Sequence, residues 1–474
     1  MPIEINWMEE VNKRKSSIIE DTQKFLQIKS VLDENETSID APLGVGIAKA
    51  LQFLLNKGEN DGFIVKNLNG LAGHIEYGTG KELIGILCHV DVVPEGDGWT
   101  SDPYGAEIRE NKIFARGAID DKGPTIAAYY ALKIVKELGE PFQKRVRIIL
   151  GTDEESNWRC VDHYFKHEEM PTMGFAPDAD FPIINAEKGI LDFTLTQHFQ
   201  ASGEQGEIVL QSFQAGRRLN MVPDMAVAIL ECKTEKSGDL LKEQFVLFLQ
   251  NNNVKGKAVL RDHTVELKLE GISAHGMEPN NGKNAGLLLN QFLAKQHLDN
   301  NGTKFSTFVN QYLGQETRGH TIGIAFEDQI SGELTINCGI LSYDRAGIGE
   351  IGLNLRYPVS HKIEESKKKI IAIAEGNGFS YTELDDSKPH YVDEQTPFIQ
   401  ILKKVYEQQT GGKAELLAIG GGTYARSLTS GVAFGPLFPG RPDVAHQKDE
   451  YIEIEDLLRA TAIYAQAIYE LVKN

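Results

Sequence analysis

Apolar positions recur at helical spacing over residues 7–31 and again over 42–57, where Ile47, Leu51, Leu54 and Leu55 share one face. From Phe63 the pattern changes to short apolar runs punctuated by turn residues. LIGILCHVDVVP, residues 83–94, is almost continuously apolar before it meets charge and proline. That predicts a strand buried on both faces, with His89 and Asp91 at its C-terminal edge. GPTIAAYYALKIVKELGE, residues 123–140, predicts a helix with Pro124 near its first turn and Gly139 near its end. RVRIILGTDEES, residues 145–156, is a second apolar run that ends in acids. Strand, helix and strand in this order predict an α/β fold with a largely parallel central sheet.

Between about 187 and 388 the rhythm differs. AVAILECK (226–233) reads as a strand followed by an amphipathic helix over 238–252, and IGLNLRYP (351–358) as a strand followed by a helix over 361–378. Each helix leads into another strand-like run, 257–270 and 379–384. The outline is a βαβ-type unit used twice, in pattern and not in residue identity. Long helices return after 389, over 396–410 and 453–472, framing the strand-like VAFGPLF at 432–438. At 474 residues the chain is long for one core. The expected architecture is a discontinuous α/β domain, residues 1–186 and 389–474, with an α+β domain of residues 187–388 inserted into it.

Composition narrows the function. Lys and Arg total 49 against 68 Asp and Glu, a formal charge of −19. That sign is wrong for neutralising phosphates, so no nucleic-acid partner is expected, nor an anionic membrane surface. No run approaches the roughly 18 apolar residues of a membrane span. The opening, MPIEINWMEEVNKRK, has no apolar core of a signal peptide. Cys88, Cys160, Cys232 and Cys338 contain no CxxC pair and read as reduced, buried thiols. The expectation is a soluble, cytoplasmic enzyme.

Metal-type ligands concentrate where predicted strands end, the place where open α/β sheets bind ligands. In order they are His89-Val-Asp91, Asp120-Asp121-Lys122-Gly123, Asp153-Glu154-Glu155 and Pro177-Asp178-Ala179-Asp180, with His446 far downstream. Taken singly each has an ordinary reading: surface polar residues, helix-capping acids, a solvated turn, a loop histidine. Together they are two histidines and at least three acids without a thiolate cluster, a set that suits Zn²⁺, Mn²⁺ or Co²⁺ and exceeds what one tetrahedral ion needs. Two ions roughly 3.5–4 Å apart would use them all. His89 and Asp91, two apart on a strand, leave one face, and Asp91 suits the carboxylate that fixes a metal-bound imidazole. Residues and spacing together give a two-metal hydrolase.

The segments GILCHVDVVPEGDGWTSDPY, FARGAIDDKGP, GTDEESNW, FAPDADFPIINAEKG and AHQKDEY resemble, in this order, the M20 metallopeptidase family. The similarity is to its PepV-type bacterial dipeptidase branch, described also as carnosinase-like Xaa-His dipeptidases. The resemblance implies that His89, Asp120, Glu155, Asp178 and His446 hold two metal ions bridged by Asp120, with His89 and Asp178 on one ion and Glu155 and His446 on the other. By the same resemblance Glu154 is the general base and Asp91 orients His89. His275, in GISAHGMEP, resembles the lid histidine that stabilises the oxyanion, and Arg356 and Asn220 resemble the residues that bind the substrate carboxylate. Gly421 or Gly422, in AIGGGTYAR, is implied as a close backbone approach to substrate. The inserted region corresponds to the family's lid, enlarged in this branch to resemble two copies of a smaller lid, which implies a monomer.

The expected reaction is hydrolysis of dipeptides with a free amino terminus by a metal-bridging hydroxide, with Glu154 as base and then acid. Zn²⁺ is the expected ion, with Mn²⁺ or Co²⁺ as alternatives. The rival reactions are deacylation of an N-acyl amino acid or of succinyl-diaminopimelate. A non-catalytic metal-holding homologue is the third reading, and intact Glu154 argues against it. A serine or cysteine nucleophile is the weakest alternative, because no GxSxG elbow occurs and Cys88 sits inside an apolar strand.

Overall fold

The computed structural model describes residues 5–139, 142–200, 206–314 and 316–473. Two compact units divide the chain: Met1–Ala186, Tyr391–Leu417 and Gly422–Asn474 form the first, and Glu187–His390 with Ala418–Gly421 the second.

In the first unit, strands lie side by side in the order Ile64–Leu68, Ala72–Tyr77, Arg145–Gly151, Leu83–His89, Met173–Ala176 and Gly431–Ala433. The first three neighbours pair antiparallel, and the last four run parallel. All seven residues of Leu83–His89 are buried, as a strand covered on both faces requires. The helix Lys122–Glu137 packs against the C-terminal helix Ile454–Lys473 and is buried around nearly its whole circumference. Its first turn lies so close to the preceding loop that a Cβ on Gly123 would stand 2.1 Å from the carbonyl oxygen of Ala118.

Several elements differ in extent from the apolar pattern. The run 7–31 is two helices, Trp7–Asn12 and Lys15–Leu26. At the break Arg14 leaves helical geometry and turns its guanidinium to Glu137, with contacts of 3.0 and 2.6 Å. The helix expected over 123–140 starts at Lys122 and stops at Glu137, and residue 140 lies outside the described residues. The run 432–438 is two short strands, Gly431–Ala433 and Pro436–Leu437, because Gly435 takes a positive φ and Pro436 has no N–H for a ladder.

The second unit is built on an eight-stranded antiparallel sheet. Its order is Lys255–Arg261, Thr264–Glu270, Met225–Cys232, Ile208–Ala215, Thr335–Asp344, Ile348–Tyr357, Gly189–His198 and Ser380–Ser387. The run 257–270 is a hairpin turning at Asp262 and His263, where Asp262 adopts the left-handed conformation that aspartate tolerates. Each half of the sheet holds a strand, a helix and a second strand parallel to the first. Met225–Cys232 and Lys255–Arg261 flank the strand Thr264–Glu270, joined through the helix Glu235–Asn251. Ile348–Tyr357 and Ser380–Ser387 flank Gly189–His198, joined through the helix Ile363–Gly376. A strand is therefore inserted between the two parallel members of each unit. These helices, with Ala285–Leu293 and Asn300–Tyr312, share one apolar core. Among the described residues no helix is long and apolar enough to cross a membrane.

His74, on Ala72–Tyr77, shows how the first unit's interior responds to acid. Tyr164 accepts from Arg147 at 3.1 Å, and its hydroxyl lies 2.9 Å from His74 Nδ1, an arrangement that suits a neutral imidazole accepting there. Burial, then the Arg147 charge, pushes the imidazole down to about 4. A histidine in the unfolded chain titrates near 6.5. The stability contributed by neutral His74 is therefore complete above about pH 6.5 and is lost as pH falls from there toward 4. Urea unfolding at several pH values should show that His74→Gln reduces the slope in this window by up to about one proton, or ~1.4 kcal/mol per pH unit. An unchanged slope would mean that His74 protonates as readily folded as unfolded.

Candidate metal centre

His89 is the last residue of its strand, and two neighbours fix it. Its backbone N–H donates to Asp121 Oδ2 at 3.1 Å, and Asp121 Oδ2 is also bound by Thr125 Oγ1 at 3.0 Å. Its Nδ1 donates to the backbone carbonyl of Asp91 at 3.0 Å and lies 3.4 Å from Asp91 Oδ1. That leaves Nε2 as the ligand atom, 3.0 Å from Asp120 Oδ1 and 3.7 Å from Asp178 Oδ1. From the opposite side, His446 places Nε2 2.9 Å from Asp120 Oδ2 and 3.1 Å from Glu155 Oε2. Asp120 thus offers one oxygen to each imidazole. The peptide between Asp120 and Asp121 is cis.

The carboxylate of Asp91 spans the turn after Arg145–Gly151, accepting the backbone N–H groups of Glu154 at 3.2 Å and Glu155 at 3.0 Å. One aspartate therefore holds both His89 and the acid pair. His89, Glu154 and Asp178 bring ligand atoms within 4.8 Å of one another, and so do His89, Asp120 and Glu155. The adjacent Glu154 and Glu155 fall into different groups.

The charges betray what such a site is built for. Burial and the Asp178 charge push Glu154 well above the usual carboxylate range. Burial and the Asp120 charge lift Asp178 to about 6. Hydrogen bonds that its Nε2 donates to Asp120 and Glu155 carry His446 up to about 11. Burial opposes a cation on His89, but Asp120, Asp178 and Asp91 outweigh it and hold that imidazole well above its ordinary value. Five carboxylates around two imidazoles leave an excess of negative charge that two divalent cations would largely neutralise. Nitrogen and carboxylate donors without thiolate fit Zn²⁺, Mn²⁺ or Co²⁺.

A second group of expected residues gathers in the second unit. His275 is bridged to Met221, and the Gly276 N–H donates to the Asn220 carbonyl at 2.7 Å, so the two segments run edge to edge. His275 Nδ1 accepts the Met277 N–H at 3.1 Å, which leaves the proton on Nε2. Partial burial and the Arg356 charge push this imidazole below its ordinary value. Arg356 is buried on Ile348–Tyr357; Nε donates to Asn354 Oδ1 at 2.8 Å and Nη1 to the Gly420 carbonyl at 3.1 Å. Asn354 in turn donates to Asp192 at 2.5 Å, so an internal acid stands behind the guanidinium. Arg356 thus meets Gly420. The Cβ position of Gly421 faces open space, and that of Gly422 would stand 2.4 Å from Arg426 Nη1.

Two residues beside His89 escaped the sequence reading. Asp121 appeared there only as one of an acid pair, yet it anchors the backbone of His89. Tyr424 follows the glycine run; its ring meets the His89 ring edge-on at 6.1 Å, and its hydroxyl lies 3.0 Å from Cys160 Sγ. Only the adjoining small residue, Gly151, could have hinted at it.

Residues 85–470 match the family described as Peptidase family M20/M25/M40. A protein of Bacillus subtilis (strain 168) named "Putative dipeptidase YtjP" is 56% identical over 469 residues, covering 99% of this chain and 100% of its own. Among solved structures, aminoacylhistidine dipeptidase from Vibrio alginolyticus aligns with a TM-score of 0.59 at 12% identity, over 96% of each chain. Human carnosine dipeptidase 1 aligns with a TM-score of 0.55 at 13% identity, over 99% of this chain and 98% of its own. These two structures share the fold.

The raised imidazoles make metal uptake a proton-releasing event. A cation needs both histidines neutral, and the acids hold His89 and His446 protonated in the metal-stripped protein at pH 7. Calorimetric titration with Zn²⁺ in two buffers of different ionisation enthalpy should report about two protons released, with affinity rising as pH rises. Buffer-independent heats would mean that the imidazoles are already neutral.

Proposed function

Because this chain belongs to peptidase family M20/M25/M40, we propose that it is a metal-dependent dipeptidase that cleaves dipeptides with a free amino terminus. The observation that carries the reading is the division of Asp120 between His89 and His446, with Glu154, Glu155 and Asp178 around them. His89, Asp120, Glu155, Asp178 and His446 would hold two divalent cations, Zn²⁺ in the first place and Mn²⁺ or Co²⁺ as alternatives. When bound, the cations supply Lewis acidity and a water acidified toward neutrality.

The chain's own groups do the rest. Glu154 takes the proton of the attacking water and returns it to the leaving amine. Asp91 fixes both His89 and the backbone of Glu154, so base and ligand keep their spacing. His275, neutral with its proton on Nε2, is a donor for the developing oxyanion. Arg356 reads the free carboxylate with its planar fork, and Asn220, beside His275, assists it. Of Gly421 and Gly422, Gly421 is the one that leaves backbone open to the substrate, because Arg426 fills the space beside Gly422. An acid such as Asp178 is the natural anchor for the substrate's amino group. Two strand–helix–strand halves within one sheet support a monomer, and four buried free cysteines support a reducing, cytoplasmic setting.

The test is hydrolysis by metal-stripped protein with Zn²⁺, Mn²⁺ or Co²⁺ added back singly. The panel is Ala-His and β-Ala-His, their N-acetylated forms, a tripeptide and N-succinyl-diaminopimelate. Metal-dependent cleavage of the free-amine dipeptides alone is expected; cleavage of the acylated compounds alone would make the protein a deacylase. Glu154→Gln should keep its metal and lose about 10²–10⁴-fold in kcat, and near-normal kcat would remove it as the base. Arg356→Lys, which keeps the charge and loses the fork, should raise KM about tenfold or more, and an unchanged KM would place the carboxylate elsewhere.

A further inference from the structure

Glu450 lies four residues beyond His446 and is completely buried. Its Oε1 accepts the backbone N–H of Ile119 at 3.0 Å and of Asp120 at 3.3 Å. Its Oε2 pairs with Arg116 Nη1 at 2.5 Å, and its backbone carbonyl accepts the Ala115 N–H at 3.0 Å. Segment 115–120 is thus gripped at four points by one residue of the His446 loop. Arg116 carries the link further: Nη2 lies 3.4 Å from the carbonyls of Pro94 and Glu95, just after Asp91, and its backbone N–H donates to Pro103. Neither side chain is exposed beyond 2%.

We propose that Glu450 is a positioning residue that, through Arg116, joins the segments carrying His89, Asp120 and His446 into one block and so sets the affinity of the cation site without touching a cation. The inference rests on the two-cation reading above. Asp120 serves both imidazoles only if its backbone is fixed relative to the two histidines. Two N–H donors converge there on a single acceptor oxygen. A carboxylate can take these donors on one oxygen and a guanidinium on the other. An amide cannot, because its NH₂ must face either the N–H pair or the guanidinium, leaving buried donors opposed. Groups that orient ligands without binding metal typically change affinity by about 10–100-fold when altered.

The experiment measures Zn²⁺ affinity of the metal-stripped full chain by competition with a chromophoric chelator, alongside kcat and KM for Ala-His over a range of Zn²⁺. Glu450→Gln should weaken binding about 10–100-fold, with kcat recovering at saturating Zn²⁺ and KM for the dipeptide unchanged. Arg116→Lys keeps the charge and loses the fork to Pro94 and Glu95, and should weaken binding about tenfold. It also serves if Glu450→Gln does not fold. Folded variants with wild-type Zn²⁺ affinity would overturn the inference while leaving the two-cation reading standing. Wild-type protein that binds no Zn²⁺, Mn²⁺ or Co²⁺ would overturn both. A loss of kcat that saturating Zn²⁺ does not restore would overturn the positioning role.

Discussion

One carboxylate with two imidazoles competing for it is the constraint on which the first unit depends. Asp120 can present its two oxygens to His89 and His446 only because a parallel strand ends at His89, a helix begins two residues after Asp120, and the His446 loop returns from far along the chain. Glu154, Glu155 and Asp178 add like charge to a buried space, which is costly unless cations occupy it. The apolar sheet beneath has to be rigid for these groups to stay opposed, and its central strand is buried without exception.

The second unit solves a different problem. Its antiparallel sheet has connecting segments on which His275 and Asn220 lie side by side, and a buried strand that carries Arg356. Arg356 is satisfied through Asn354 and Asp192, so the guanidinium is held in one place by its own strand and the next.

Much of the first unit was legible because its signals are local. The continuous apolar run 83–89 and the acids closing the next strand follow from burial on both faces and from ligand sites at strand ends. The membership in family M20/M25/M40 is equally plain from ordered motifs. The rest depends on partners distant in sequence. The break at residues 13–14 goes with a guanidinium turned toward Glu137, and the hairpin within 257–270 hinges on Asp262 accepting a left-handed conformation. Asp91 could be paired with His89 by strand alternation, but its hold on the backbone of Glu154 and Glu155 has no periodicity to betray it. Glu450 sits in a quoted motif yet draws its meaning from residues more than 330 positions earlier.

Tyr424 and Gly151 divide a single space between them. A methyl group on residue 151 would stand 1.8 Å from the tyrosine hydroxyl oxygen, far inside contact distance. These two positions, one in the sheet and one opening the short 3-10 helix after the glycine run, therefore constrain each other's size. Descendants of this chain can enlarge residue 151 only after residue 424 has given up its phenol, and the order of the two changes is fixed by volume alone.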